Sequence, residues 1–341
     1  MIYLRKFFLV LLIILPISKA FGANATLKQS VEFGTGGLAT ELVLNGIEFN
    51  PDGIKMFLVS FGKTGSGGSN TTDYVNEYNL STPFDISTAS YAGDSERCHL
   101  DDTGTTSVDK LSGAISFNSD GTKILAISRG NLNNSNLMQF NLSVAYDVST
   151  CSFDSSVRTD TDALQDGTSA GDSGNNQKQL LRGAEYNNDG TRIFLSINDN
   201  DSSQNDSIKE YHLSTAYDLS TMTLQTTAIS LAGTTIQDLT FGDNGKKVLS
   251  VNSASGNFYI AQYTLSTAYS LSGAVLDGTF STSGITNQRI SGIKFSTGGF
   301  KLFVTEFSGV GDYVYEFDVA CPFNIISGKC PSITENSDRT G

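Results

Sequence analysis

Five imperfect copies of one strand-turn-strand phrase, at a period of tens of residues, predict an all-β chain. The expected architecture is a β-propeller of five four-stranded blades, closed by an N-terminal strand that joins the last blade. The first observation behind this is the phrase STAYDLST at 214–221. It returns as STPFDIST at 81–88, SVAYDVST at 143–150, STAYSLSG at 266–273 and, degraded, ACPFNIIS at 320–327. The second is the spacing of the aromatics that end the first strand of each copy, Phe49, Phe117, Tyr186, Phe241 and Phe295, which lie 68, 69, 55 and 54 residues apart. The third is composition: 34 glycines, 5 prolines and 17 % charged residues mark a turn-rich body rather than a helical or disordered one.

Taken in chain order, residues 1–20 read as a secretory signal. Arg5 and Lys6 precede an apolar run from Phe7 to Ile17, and Ser18-Lys19-Ala20 offers a small-x-small cleavage site, with a second after Ala25. The run is interrupted by Pro16 and is shorter than the roughly 20 residues a membrane span needs. Cleavage removes Arg5, Lys6 and Lys19, taking the formal net charge from -13 to -16. That acidity argues against nucleic acid and anionic lipid as partners. No later segment is apolar enough to span a bilayer, so the expected location is secreted, periplasmic or at the cell surface. Four cysteines in an exported chain predict disulfides, with three pairings open. Cys321 with Cys330 and Cys98 with Cys151 are preferred over free thiols.

One propeller domain is expected over 21–330, with repeats near 46–100, 113–158, 183–231, 238–280 and 292–327, and a polar, disordered tail at 331–341. Within a blade, strand a is the run before the turn, and its leading glycine lets backbones crowd at the axis. Strand b is apolar on both faces, as in KMFLVS from Lys55 and KILAIS from Lys123, which requires cover on both sides. The a–b turn is Asp-Gly at Asp52-Gly53, Asp120-Gly121 and Asp189-Gly190; Gly245 and Gly299 keep the glycine in the other copies. Strand c alternates, Tyr74, Asn76 and Tyr78 against Val75, Glu77 and Asn79, so one face is expected to be more polar. Strand d follows the phrase and has the weakest pattern. The fifth copy stops after strand c at Val319, and residues 26–33 have no blade of their own, so they are assigned as its missing strand d.

The phrases FNPDGIKMFLVS at 49–60 and FNSDGTKILAIS at 117–128 resemble the YVTN-type β-propeller repeats of secreted and surface-layer bacterial proteins, and the likeness extends over most of 26–327. The resemblance implies an exported, bacterial propeller. It carries scaffold residues and no active site. The chain has no Trp, unlike the WD40 branch.

Candidate chemistry divides by which end of the blade it occupies. A basic residue opens strand b (Lys55, Lys123, Arg192, Lys247, Lys301), and Glu or Gln precedes the strand c aromatic (Glu77, Gln139, Glu210, Gln262, Glu316). Repetition in every copy makes these diagonal cross-strand scaffold pairs. Asp85, Asp147 and Asp218 in the phrase read as turn residues bonding nearby backbone. The long, unlike stretches all fall on b–c and d–a connections, which share one face, and binding loops on a rigid scaffold are expected there. Two are acidic: Asp101 and Asp102 in one, with Asp94, Glu96 and Asp109 flanking, and Asp160, Asp162, Asp166 and Asp172 in the other. These six central acids are the candidate ligand-binding residues. Asp199, Asp201 and Asp206 on the third b–c connection are candidate calcium ligands, against the alternative of solvated acidic loops. Two histidines, no G-x-S-x-G elbow and no phosphate loop leave enzyme signatures sparse. The expected function is non-catalytic recognition of a glycan or protein through the variable face. The alternative is an exported propeller hydrolase, lactonase- or glycosidase-like, with an axial carboxylate or metal site.

Overall fold

A computed structural model describes residues 24–33, 43–61, 73–100, 112–128, 135–158, 179–199, 205–231, 234–286, 288–307, 312–328 and 330. The first strand, β1 (Ala25–Glu32), belongs to the last blade. Blade 1 comprises β2 (Val43–Phe49), β3 (Lys55–Phe61) and β4 (Asp73–Leu80), with an outer strand split into β5 (Ala89–Tyr91) and β6 (Arg97–His99), both paired to β4. Blade 2 is β7 (Ser112–Phe117), β8 (Lys123–Ser128), β9 (Asn136–Leu142) and β10 (Cys151–Arg158). Blade 3 is β11 (Gln179–Tyr186), β12 (Arg192–Asp199), β13 (Asp206–Leu213) and β14 (Met222–Leu231). Blade 4 is β15 (Thr235–Gly242), β16 (Lys247–Ala254), β17 (Asn257–Thr264) and β18 (Val275–Ser281). Blade 5 is β19 (Arg289–Phe295), β20 (Lys301–Phe307) and β21 (Tyr313–Val319), completed by β1, which pairs antiparallel with β21 from Ala25–Val319 to Glu32–Tyr313. The inner strands β2, β7, β11, β15 and β19 touch in sequence, and β19 returns to β2. The chain is an all-β, five-bladed propeller.

One local module explains why the phrase repeats. The a–b turn glycine takes positive φ in every blade (Gly53, Gly121, Gly190, Gly245 and Gly299), and the phrase aromatic does too, at φ 54–59° for Phe84, Tyr146, Tyr217, Tyr269 and Phe323. Each aromatic N–H donates to the carbonyl of that glycine at 2.9 Å. Its ring then covers the glycine and packs on the aromatic ending strand a, as Tyr217 does on Tyr186 at 5.1 Å and Phe323 on Phe295 at 5.3 Å. The turn is longer than a two-residue Asp-Gly hairpin: Asn50 and Lys55 close the loop, and Asp52 Oδ1 accepts from Ile54 N. After the aromatic, Asp85, Asp147 and Asp218 each accept from the N–H two residues on, capping a 3₁₀ turn.

Cores form between blades rather than within them. Five clusters of buried apolar side chains occupy the five interfaces; Leu125 and Leu137 meet Leu181 and Ile193 between blades 2 and 3, and Phe303 and Val314 meet Leu44 and Met56 across the closing joint. Strand b is covered on both faces, as expected, with Met56, Phe57, Leu58 and Val59 all fully buried. Neither face of strand c is solvated. Asn76 is buried and donates to Ser60 Oγ at 2.7 Å, and Glu77, on the other face, is buried against Lys55 at 2.7 Å, because the blades on either side cover both faces.

The repeated base–acid pairs are latches between blades. Lys301 reaches both Glu316 at 2.6 Å and the Phe84 carbonyl of the following blade at 2.8 Å, and Glu316 accepts from Ile86 N there. Lys55 with Tyr146 O, and Arg192 and Glu210 with Tyr269 O and Leu271 N, repeat the geometry. Where strand c carries Gln, the acid comes from strand d instead: Asp154 faces Gln139 and Lys123, and Asp277 faces Gln262 and Lys247. Both preferred disulfides are present, Cys98–Cys151 tying blade 1 to blade 2 and Cys321–Cys330 beyond the last strand. Among the described residues, no helix is long and apolar enough to cross a membrane. The expected signal, residues 1–20, and the tail, 331–341, lie outside the described residues.

Candidate functional site at the ring axis

The five strands a build the axis in three levels. At the level nearest the a–b turns stand Glu48, Ser116, Glu185, Thr240 and Lys294, two residues beyond a waist formed by Gly46, Ala114, Gly183, Asp238 and Gly292. Small residues at the waist let neighbouring backbones meet: a Cβ on Gly292 would lie 2.7 Å from Asn45 O and 3.0 Å from Gly46 Cα. Blade 4 departs from this rule with Asp238. Its side chain crosses towards Gly183 of blade 3, and its carboxylate accepts from Leu239 N at 2.8 Å and from Ile293 N of blade 5 at 3.1 Å. Burial pushes this carboxyl well above the usual range, with Glu185 adding to the shift.

Below the waist, Lys294 is shared by Glu48 at 2.7 Å and Glu185 at 3.2 Å, joining blades 5, 1 and 3 across the axis. Although burial works against its charge, the two carboxylates hold Lys294 above the ordinary lysine range. Burial also raises Glu48, to about 7, against the pull of Lys294. Glu185 accepts in addition from Phe241 N at 3.1 Å. A cleft of about 200 Å³ opens over this cluster at the a–b end, with Glu185 and Lys294 on its floor and Phe84, Tyr269 and Phe323 on its walls. That is smaller than the ~300 Å³ at which drug-sized ligand pockets begin.

Above the waist, the end that bears the b–c and d–a connections is different. Every strand a carries a β-bulge immediately before the waist residue, between Leu44 and Gly46, Ser112 and Ile115, Leu181 and Gly183, Ile236 and Asp238, and Ile290 and Gly292. The extra residues are Asn45, Gly113, Arg182, Gln237 and Ser291. Bulges re-aim a side chain out of the regular alternation, and they gather beside functional sites. Arg289, from one turn of strand higher in blade 5, donates through Nε and Nη2 to Gln237 Oε1. Burial, with Arg289 nearby, brings the Arg182 guanidinium down to about 10, Asp206 opposing.

Most of the residues expected to form the site are not among the described ones. Asp101, Asp102, Asp160, Asp162, Asp166, Asp172 and Asp201 lie outside the described residues. Asp199 ends β12, and Asp206, at the start of β13, is buried with Oδ2 accepting from Ile236 N at 2.8 Å. Among the described residues, no group of three or more His, Cys, Asp or Glu could hold a metal. His212 contacts Glu210 at 2.7 Å on the scaffold side, and His99 packs on Tyr74. Sequence reasoning missed the bulge ring and Asp238. The available signal was the residue before the waist position, which is Asn, Gly, Arg, Gln and Ser in the five copies, whereas the residue after the waist stays apolar as Ile47, Ile115, Ala184, Leu239 and Ile293.

No family model and no curated protein matches the chain. Solved structures do. The exo-β-1,3-galactanase of Phanerochaete chrysosporium, crystallised with galactose, aligns over 84 % of this chain and 64 % of its own, at 12 % identity and a TM-score of 0.51. The periplasmic gluconolactonase PpgL of Pseudomonas aeruginosa aligns over 81 % and 75 %, at 14 % identity and a TM-score of 0.45. The β-propeller domain of Swd1 from Myceliophteria thermophila aligns over 86 % and 99 %, at 11 % identity and a TM-score of 0.42. The shared feature is the fold.

Proposed function

We propose that the chain is an exported, YVTN-like recognition propeller that binds a glycan or protein ligand through its variable-loop face, without catalysis. The observation that carries this reading is the contrast between the two ends of the ring. The a–b end repeats one turn glycine and one covering aromatic in all five blades, whereas the opposite end gathers the unlike connections and the unlike bulge residues. Two disulfides suit an oxidising compartment. The axial carboxylates are engaged in holding blades together, each bonded to Lys294 or to a backbone N–H. Calcium bound by the acidic loops, Asp199, Asp201 and Asp206 included, belongs to this reading as an organiser of the face.

A second reading rests on Glu48. This carboxyl, raised to about 7, shares Lys294 with Glu185, and of the two Glu185 lines the a–b cleft, where hydrolysis of a sugar or lactone by a carboxyl pair would take place. One comparison separates the two. Deleting 161–174 abolishes ligand binding in the recognition reading and leaves turnover intact in the hydrolase reading. Glu185→Gln does the reverse. Binding that survives loss of the long loops overturns the first reading.

A further inference from the structure

We propose that the axial mouth on the loop face holds the carboxylate of a sugar acid, a uronate or aldonate unit, with Arg182 as the fork that receives it. The proposal rests on the recognition reading and adds the class of ligand. Five bulges in register place one irregular residue per blade at the same height, and none of the five side chains repeats. A level at which all five copies differ, with Asn45, Arg182, Gln237 and Ser291, offers a charged fork beside the Gln237 amide; the Ser291 hydroxyl is already bonded to Leu44 O and Thr305 Oγ1. Gln237 is buried beside Arg289, so its polarity serves the axis rather than bulk solvent.

Arg182 is the informative member. Among the described residues, its Nε is buried and meets no hydrogen-bond partner. A guanidinium does not shed its proton in a protein, so the charge persists. Arg289 approaches from two blades away and repels it, while Asp206, the acid that faces it, gives one carboxylate oxygen to Ile236 N. A desolvated cation in this state is costly unless an anion completes it, and a planar carboxylate fits the fork in two parallel hydrogen bonds. Gln237 gives its carbonyl to Arg289 and keeps its amide nitrogen as a donor. The ligand is further restricted by the molecule as a whole: with a net charge of -16 after signal cleavage, a polyanion is repelled at a distance. One carboxylate among neutral hydroxyls meets the least repulsion, and that is a sugar acid.

The test is calorimetric titration of the secreted chain with galacturonate, gluconate, galactose and inorganic phosphate, beside an array of neutral and uronate-bearing glycans. The expected result is sugar-acid binding at least tenfold tighter than galactose or phosphate, weakened at least tenfold in Arg182→Met. Neutral glycans bound and uronates refused would sink this inference and leave the recognition reading standing. No glycan and no sugar acid bound would overturn this inference and leave the recognition reading only in its protein-ligand form. Phosphate binding as tightly as galacturonate, or sugar-acid binding indifferent to Arg182→Met, also overturns it. Should Arg182→Met fail to fold by circular dichroism, Gln237→Ala takes its place, with at least a threefold loss expected and none contradicting the proposal.

Discussion

Each phrase aromatic sits in the left-handed region, where an L side chain is strained, and does so because its ring must fold back over the turn glycine. Gly190 shows the other half of the arrangement: at φ +71° it has the Tyr217 ring where a Cβ would be. Gly190→Ala therefore loses both backbone ease and ring packing. Gly256, at φ +81° with nothing within 4 Å of a Cβ, loses only the first. The left-handed penalty alone is about 1–2 kcal/mol. Denaturant titration should show Gly256→Ala costing about that much and Gly190→Ala clearly more; equal costs would mean the ring contact contributes nothing.

Two carboxyls give the stability profile limbs of opposite sign. Asp85 is pulled down to about 2, first by the Ser87 hydroxyl and then by Gln29, so its contribution is present above the ordinary value of 3.8 and is lost as pH falls towards 2. Glu48, raised from 4.5 to about 7, binds its proton more tightly when folded. Its contribution is full below pH 4.5 and is lost as pH rises through 7. Buried Asp238 acts in the same direction. Urea midpoints at pH 4.5 and 7.5 should differ less in Glu48→Gln than in the wild type, and an unchanged difference would assign the neutral limb to other groups.

At the scale of elements, β1 is the part on which ring closure depends. It supplies the outer strand of blade 5, and Lys28 and Gln29 bring Glu316 and Asp85 together across the joint, at 2.9 Å from Lys28 to Glu316 and 2.8 Å from Gln29 to Asp85. Removing residues 24–33 exposes the β21 edge and strips the Glu316 latch, so the truncated chain should melt at least 10 °C lower and aggregate through that edge; an unchanged melting temperature would contradict closure by this strand. The Cys98–Cys151 bond spans two blades at a sequence separation of 53. Its loss in Cys98→Ala/Cys151→Ala should cost about 2–5 kcal/mol, measured against the same chain under oxidising conditions.

The elements were legible in the sequence because each depends on residues that recur: a turn glycine, an aromatic before it, an apolar strand b after it. The unpaired N-terminal segment and the truncated fifth copy together pointed to the joint. Other features lay outside what periodicity can report. The acid of the latch moves from strand c to Asp154 or Asp277 on strand d, where the sequence pattern is weakest, and the polarity of Asn76 and Glu77 signalled buried hydrogen bonds rather than water. Bulges are likewise silent in a period-two reading, since one extra residue looks like noise. Arg182 and Gln237 were therefore passed over, although they stand at the position where the copies differ most, and so was Asp238, the one charged residue at the waist.

For the whole molecule, five interblade cores of similar make-up mean that no blade has a hydrophobic interior of its own, so the ring should unfold as one cooperative unit. The same distribution leaves the turn glycines and aromatics alike at one end and the connections unlike at the other, where recognition is proposed. That proposal is tested most directly by glycan-array binding of three purified chains: the wild type, the 161–174 deletion, and Asn188→Ala at the a–b cleft. Binding is expected for the wild type and for Asn188→Ala, and loss for the deletion. Binding retained by the deletion and lost in Asn188→Ala would place the ligand at the opposite end of the axis and contradict the proposal.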